Sequence, residues 1–217
     1  MLDVNKIRKD FPMLDGSIKS NNGKEMIYFD NAATTLKPQC VIDACSHYYE
    51  KENANSHRGD YDLAFKVDSE VDKCRESIAK FFNADKKEIV FTSGCSMSMN
   101  LVAFGYGFKF LKKGDEILLT EAEHASNVLP WFKVSELTGA VIKYIPLTKE
   151  GRLTKENLEK VISEKTKIVS VAQVTNVLGF KNDIKSLSEV AHKFGAILIC
   201  DAAQSAPHMK IDVKDLD

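Results

Sequence analysis

Short apolar runs that alternate with helical segments constrain the fold of this chain more than any other feature of its sequence. Five such runs occur, at residues 88–91, 116–119, 141–145, 167–171 and 196–200. Segments with helical periodicity lie between them, near residues 96–105, 126–138, 154–162 and 183–194. Short apolar strands that alternate with helices of about 10–15 residues are typical of parallel sheets covered by helices. The sequence therefore predicts an α/β fold with a mainly parallel sheet sandwiched by helices.

The first 85 residues have a different pattern and are predicted to be mostly helical. Pro38 is expected near the first turn of a helix, and a short strand is expected at residues 26–29. The longest helix is predicted over residues 61–82, because apolar residues recur there at spacings of three and four. The residues that predict its buried face are Ala64, Val67, Val71, Cys74, Ile78 and Phe81. The change of pattern divides the chain into an N-terminal segment, residues 1–85, and an α/β domain, residues 86–217.

Composition and charge exclude several classes of protein. The 217 residues carry 30 basic and 31 acidic side chains, so a net charge of −1 gives no basis for binding nucleic acid or an anionic membrane. No apolar run reaches the roughly 18 residues of a membrane span. The N-terminus has no apolar stretch like the core of a signal peptide. The prediction is a soluble cytoplasmic protein.

The five cysteines predict neither a disulfide framework nor a zinc site, because their number is odd and no two form a C-x-x-C pair. No other metal site is predicted. Cys74 lies on the helical apolar face and Cys200 ends an apolar run, so both are predicted to be small core residues.

Polar residues follow four of the apolar runs. They are Thr92-Ser93-Gly94-Cys95-Ser96, Glu121-Ala122-Glu123-His124, Thr175-Asn176 and Asp201-Ala202-Ala203-Gln204. Ligands of parallel sheets bind at the carboxyl ends of the strands. These residues together therefore predict a ligand site at one edge of the sheet.

Each of these groups has a functional and a structural interpretation. The small residues around Cys95 and Ser96 suit an anion at a helix N-terminus, or an ordinary turn with a serine cap. A carboxylate at the end of an apolar strand needs a partner, so Asp201 could face a protonated ring nitrogen, a helix N-terminus or a salt bridge. His124 could stack on a ring or exchange protons, or be a hydrogen-bonded structural residue. Asn176 could bind a carboxylate or a phenolic oxygen, or be a turn residue.

Taken in order, these residues and several others form the motifs of a known family. The motifs are Tyr28-Phe29-Asp30-Asn31-Ala32-Ala33-Thr34-Thr35, Ser56-His57-Arg58-Gly59, Phe91-Thr92-Ser93-Gly94, Glu121-x-Glu123-His124-x-x-Asn127-x-x-Pro130-Trp131, Thr175-Asn176-Val177-Leu178-Gly179 and Asp201-Ala202-Ala203-Gln204. With these motifs the chain resembles the class V aminotransferases, which are pyridoxal-phosphate (PLP) enzymes of fold type I. More narrowly, it resembles the Suf-type cysteine desulfurases, and the resemblance covers nearly the whole chain.

The resemblance implies a role in cofactor binding for a small set of residues. Asp201 would pair with the pyridinium nitrogen of PLP and keep the ring an electron sink. Gln204 would hydrogen-bond the phenolic oxygen, and His124, the catalytic candidate of this chain, would stack on the ring. Cys95 and Ser96 would help to hold the phosphate through backbone and side chain.

The resemblance also implies a substrate and partners. Asn176 would contact the substrate carboxylate. The substrate entrance and the subunit boundary of a homodimer would be lined by Ala32, Ala33, His57 and Arg58, in the segment that would contribute to a small domain. L-Cysteine would lose its sulfur to an enzyme persulfide and leave as alanine. The sulfur would then pass to an acceptor protein for iron–sulfur cluster assembly.

Two departures from the family pattern concern chemistry. The phosphate turn usually reads Gly-Thr-Thr-Glu and is here Gly94-Cys95-Ser96-Met97, so a poorer hydrogen-bond donor replaces a hydroxyl and a carboxylate is lost. In the family, the lysine that forms the Schiff base follows the aspartate by about 25 residues, and Lys210 and Lys214 lie too close to Asp201. We therefore expect this lysine, the sulfur-accepting cysteine and the carboxylate-binding arginine beyond Asp217. The 217 residues alone are expected to be inactive.

A third departure concerns the sheet. By resemblance, the strand at 88–91 joins the strand at 167–171 only through two strands that follow residue 217. Two unpaired sheet edges are expected, and an isolated 217-residue product is expected to be unstable, to aggregate or to need the remaining half.

Two other interpretations stay open. The chain could be a truncated, non-catalytic paralogue that acts as a binding or dimerising module, which the altered phosphate turn and the missing lysine favour. It could also have a neighbouring class V activity, such as that of a selenocysteine lyase, an aminotransferase or an epimerase.

Overall fold

The computed structural model describes residues 2–216. The chain forms two compact units, Met1–Arg75 and Glu76–Asp217, and the boundary lies inside the longest helix. The boundary predicted after residue 85 lies further along the chain and stays a prediction for the domains of the complete protein.

Helices and turns make up the first unit. Its elements are α1 (Val4–Arg8), a 3₁₀ turn (Pro12–Leu14), α2 (Gln39–His47), a π-helical turn (Tyr48–Glu52) and the first part of α3 (Asp62–Phe82). α2 begins directly after Pro38, as predicted. The strand predicted at residues 26–29 is wrong, because this segment pairs with no strand among the described residues and leaves Ile27 and Phe29 exposed.

The predicted long helix is confirmed as α3, but its predicted buried face is only partly buried. Ala64 and Val67 are buried, as is Ala79 further along the helix. Cys74 and Phe81 are exposed, so the prediction is wrong for these two residues. Periodicity predicts the apolar face of a helix, but not how far along the helix that face is covered.

The second unit contains the predicted parallel sheet. Its strands are β1 (Glu116–Leu119), β2 (Val141–Tyr144), β3 (Thr166–Ala172) and β4 (Ile197–Asp201). They lie in the order β2-β1-β3-β4, and every pair is parallel. At the carboxyl edge, Ala172 of β3 lies opposite Asp201 of β4.

Helices cover both faces of this sheet, as predicted. They are α4 (Cys95–Val102) with the π-helical turn Ala103–Gly107, α5 (Phe108–Phe110), α6 (Leu129–Thr138), α7 (Lys155–Glu159), α8 (Ile184–Lys193) and α9 (Val213–Leu216). Successive strand residues point to opposite faces, so Ile117 packs with Trp131 of α6 and Leu118 packs with Leu187 of α8. Among residues 2–216, no helix is long and apolar enough to cross a membrane.

The apolar run at 88–91 does not join the sheet, so the strand predicted there is wrong. A 3₁₀ turn covers Lys86–Glu88, and the chain is then irregular, with Val90 67% and Phe91 48% exposed. An extended segment becomes a strand only where it joins a ladder of backbone hydrogen bonds with a neighbouring strand. β3 pairs on both sides, with β1 and β4, so the edge expected beside 167–171 in fact belongs to β4.

Candidate active site

Asp201 lies at the end of β4, where the sheet meets the N-terminus of α4. Its side chain is buried. Oδ1 accepts the Ala203 N–H at 2.9 Å and the Cys95 thiol at 3.3 Å. No cationic side chain among residues 2–216 pairs with this carboxylate. A buried carboxylate without a cation is costly unless a ligand supplies one, so the site favours a positively charged group.

The thiol of Cys95 is held in its protonated form. Burial, followed by the negative charge of Asp201 and its hydrogen bond, raises the pKa of Cys95 to about 12. A helix N-terminus usually lowers a cysteine pKa, but desolvation and a neighbouring carboxylate outweigh that effect here. Cys95 is therefore a hydrogen-bond donor to Asp201 and not a nucleophile.

Cys200, one residue before Asp201, is also shielded from solvent. It is partly buried and packs against the apolar core, which agrees with its prediction as a small core residue. Burial, followed by the charges of Asp201 and Glu123, raises the pKa of Cys200 to about 12. Both thiols at this edge of the sheet are therefore hard to ionise.

We expect Cys95 to resist alkylation in the complete protein. At pH 8, a thiol with a pKa of about 12 is ionised roughly a thousandfold less than an ordinary cysteine. Iodoacetamide labelling, followed by peptide mass spectrometry, should therefore modify exposed Cys40 at least about a hundredfold faster than Cys95. In guanidinium chloride the two should react alike. Equal rates in the native protein would contradict the proposed thiol environment.

A chain of hydrogen bonds connects Ser96 with His124. The hydroxyls of Ser96 and Ser126 lie 2.7 Å apart, and the Ser126 hydroxyl lies 2.9 Å from His124 Nδ1. The Ser126 N–H also donates to Nδ1, at 3.2 Å, and the imidazole thereby caps the 3₁₀ turn Ala125–Asn127. The His124 ring is exposed, so it can be reached by a ligand at this edge.

A buried polar network lies beneath this turn. Glu123 accepts hydrogen bonds from the Thr120 hydroxyl at 2.6 Å and the Asn127 amide at 2.9 Å, and Asn127 accepts one from the Ser170 hydroxyl at 2.5 Å. Burial raises the pKa of Glu123, these hydrogen bonds oppose the rise, and the charge of Asp201 adds to it. The network connects Glu123, the residue before His124, with Thr120 directly after β1 and, through Asn127, with Ser170 of β3.

Sequence reasoning assigns no role to Glu123 or Ser126. A signal exists for the first, because Glu123 and Asn127 flank His124 at a spacing of four residues directly after β1. No comparable signal exists for Ser126, whose contacts depend on the path of the turn.

The remaining predicted residues of the second unit lie in turns at the same strand ends. Asn176 is exposed in the turn after β3. Gln204 is partly buried in the turn after β4. The structure therefore places both near strand ends, and their roles toward a ligand stay predictions.

The predicted residues of the first unit are all exposed. They are Ala32, Ala33, His57 and Arg58. His57 has a left-handed backbone, with φ of 60°, and its N–H donates to the Asp68 carboxylate at 2.7 Å. The Ser56 hydroxyl donates to the same oxygen at 2.9 Å. Asp68 of α3 thus holds this loop, and its pKa is lowered first by the hydrogen bond from His57.

The structure is that of an α/β protein with a parallel sheet. A buried acid, a helix N-terminus and an imidazole lie at the carboxyl edge of this sheet, where such proteins bind their ligands. The family model of class V aminotransferases matches residues 27–217, and the chain belongs to this family. Within it, the chain is 46% identical over 216 residues to a protein from Halalkalibacterium halodurans named probable cysteine desulfurase. It is 42% identical over 216 residues to a cysteine desulfurase from Synechococcus elongatus.

Solved structures agree with these matches. The apo structure of cysteine desulfurase from Thermococcus onnurineus superposes with a TM-score of 0.87 at 40% identity, over 100% of this chain and 51% of that one. The cysteine desulfurase CsdA from Escherichia coli superposes with a TM-score of 0.86 at 33% identity, over 100% and 53%. The two sequence relatives are covered over 52% and 34% of their length, with 99% of this chain aligned. The chain thus spans about half the length of most of these proteins.

Proposed function

We propose that this sequence forms the N-terminal half of a PLP-dependent cysteine desulfurase, which converts L-cysteine to L-alanine and retains the sulfur as a persulfide. One observation carries the proposal. The buried carboxylate of Asp201, bonded among the described residues to Ala203 and Cys95, lies at the sheet edge that also bears the Ser96–Ser126–His124 chain. Relatives named cysteine desulfurase support the choice of activity within the family.

The residues present fit PLP. Asp201 is a buried anion that requires a cation, and the protonated ring nitrogen of PLP is one. The first-turn N–H groups of α4, an eight-residue helix, and the Ser96 hydroxyl suit the phosphate. The exposed imidazole of His124 at the same edge suits stacking on an aromatic ring.

PLP, when bound, supplies an electron sink for negative charge on the substrate carbon. Asp201 would keep the ring nitrogen protonated, and Gln204 would hydrogen-bond the phenolic oxygen. Ser96 would bind the phosphate by side chain and backbone. Cys95 would contribute through its N–H, because its thiol is engaged by Asp201. His124 would cover the ring and exchange protons at Nε2.

Substrate binding would draw on further residues. Asn176 would bind the substrate carboxylate, and Ala32, Ala33, His57 and Arg58 would line the entrance and the subunit boundary. The lysine that bonds PLP, the cysteine that accepts sulfur and a carboxylate-binding arginine would come from sequence beyond residue 217.

The same proposal extends to assembly and location. The complete protein would be a cytoplasmic homodimer that passes sulfur to an acceptor protein for iron–sulfur cluster assembly. The acceptor follows from the proposed chemistry, because sulfur held as a persulfide must leave before the enzyme can turn over again.

The test is turnover by the complete protein. With PLP and L-cysteine, it should form alanine and reducible sulfur in equal amounts, measured by amino-acid analysis and by sulfide released with dithiothreitol. The apoprotein should form neither. Turnover of selenocysteine alone, or alanine formation that depends on a keto acid, would replace the proposal with another class V activity.

A non-catalytic role is the second candidate. It is favoured by the phosphate turn Gly94-Cys95-Ser96-Met97, in which the Cys95 thiol bonds Asp201. Borohydride reduction with PLP, followed by peptide mapping, separates the two candidates. A single pyridoxyl-lysine beyond residue 217 supports the enzyme, and its absence supports a module without this chemistry.

A further inference from the structure

Ser126 contacts both polar side chains that flank it in space. Its hydroxyl oxygen lies 2.7 Å from Ser96 Oγ and 2.9 Å from His124 Nδ1. Its backbone N–H donates to the same Nδ1 at 3.2 Å. Ser126 is partly buried, whereas Ser96 and His124 are exposed. The more buried side chain therefore lies between two exposed ones.

The backbone hydrogen bond fixes the direction of the whole chain. Because the Ser126 N–H donates to Nδ1, that nitrogen carries no hydrogen and the ring hydrogen is on Nε2. The Ser126 hydroxyl must then also donate to Nδ1, which leaves its oxygen to accept the hydroxyl hydrogen of Ser96. Hydrogen bonds thus run from Ser96 through Ser126 to His124.

We propose that Ser126 is a positioning residue that holds the His124 imidazole with Nδ1 turned into the protein and Nε2 turned toward the ligand, an inference that rests on the proposed function. Nε2 has no hydrogen-bond partner among the described residues. An exposed imidazole would otherwise populate two ring orientations, since rotation about χ2 is broad. The Ser126 N–H and hydroxyl, which both donate to Nδ1, together favour one of them.

This arrangement also makes the orientation of the His124 ring independent of anion binding at Ser96. When an anion takes the hydroxyl hydrogen of Ser96, the Ser126 hydroxyl loses a bond that it accepts but keeps the one that it donates to Nδ1. The imidazole therefore keeps its orientation with or without a phosphate at Ser96. Ser126 would thus orient the His124 imidazole in a chain whose phosphate turn differs from the threonine-rich turn of the family at Cys95 and Ser96.

The spectroscopic test uses the complete protein labelled with ¹⁵N-histidine. Ring nitrogen signals of His124 are assigned by their loss in His124→Gln. Wild type should show the tautomer with hydrogen on Nε2, and Ser126→Ala should reduce the ratio of this tautomer to the other by about fivefold, the effect of one lost hydrogen bond. Ser126→Thr, which keeps the hydroxyl, should restore the ratio.

The matched control is Ser135→Ala in α6. This serine also donates its hydroxyl, to the Ala140 carbonyl at 2.6 Å, but forms no hydrogen bond with His124 or Ser96. It should leave the His124 signals unchanged. A wild-type ring with hydrogen on Nδ1, or an Ser126→Ala protein with an unchanged tautomer ratio, would overturn the proposal.

Kinetics provide the second measurement. Ser126→Ala should lower kcat for L-cysteine by about fivefold and leave KM nearly unchanged, with Ser126→Thr close to wild type. An Ser126→Ala enzyme with wild-type kcat would overturn the positioning role. If the wild type does not turn over cysteine, the proposed function fails by itself, and the tautomer measurement still decides the role of Ser126.

Discussion

Replacing Asp201 with asparagine in the complete protein is expected to weaken PLP binding by about 150- to 5,000-fold. In the proposed site, this carboxylate faces the protonated ring nitrogen, and loss of one partner from a buried ion pair costs about 3–5 kcal/mol. The substitution keeps the shape of the side chain and the hydrogen bond from the Ala203 N–H. Titration of the apoprotein with PLP, followed by absorbance, measures the loss.

The stability of the apoprotein distinguishes this effect from damage to the fold. Asp201 is buried and pairs with no cation among the described residues, so removal of its charge should leave the melting temperature equal or higher. The control is Asp215→Asn, because Asp215 is exposed and bonds Lys185 at 2.7 Å, a contact of little energetic value. It should leave both quantities unchanged. An Asp201→Asn protein with wild-type PLP affinity would contradict the assigned role.

The fold is predictable from the sequence where one segment contains all the information that its structure needs. β1 has apolar residues for both faces, so Ile117 and Leu118 enter different cores and the strand is buried on both sides. The run at 88–91 has the same local pattern but forms no strand among the described residues. Pairing is a property of two segments, and apolar periodicity in one of them cannot reveal it.

The candidate site is predictable only to the level of strand ends. The sequence places Asp201, Cys95 and His124 at one edge of the sheet, and the structure joins the first two directly. The orientation of the Cys95 thiol, the role of Ser126 and the partial burial of Glu123 depend on strand register and on the path of a 3₁₀ turn. These are tertiary features, so residue type and spacing do not specify them.

Residues 1–217 produced alone are expected to aggregate or to unfold without cooperativity. β4 pairs only with β3 among the described strands, so one row of its backbone N–H and C=O groups is unpaired. Val90 and Phe91 expose apolar surface in a segment that is not assigned as a strand. Unpaired edges and exposed apolar segments promote association between chains. We expect any folded form to have a free energy of unfolding below about 5 kcal/mol, the lower limit for most native domains.

Substitutions in the segment at 88–91 distinguish aggregation through this exposed segment from general instability of the fold. Val90→Lys with Phe91→Lys should raise the soluble fraction, because charge on an exposed strand-like segment opposes pairing between chains. Val177→Lys is the control, since Val177 is 84% exposed in the turn after β3 and the change adds charge away from that segment. Co-expression with the sequence that follows residue 217 should give a cooperative transition. A soluble monomer of residues 1–217 that unfolds cooperatively in urea would contradict the prediction, because β4 and the segment at 88–91 would then need no partner.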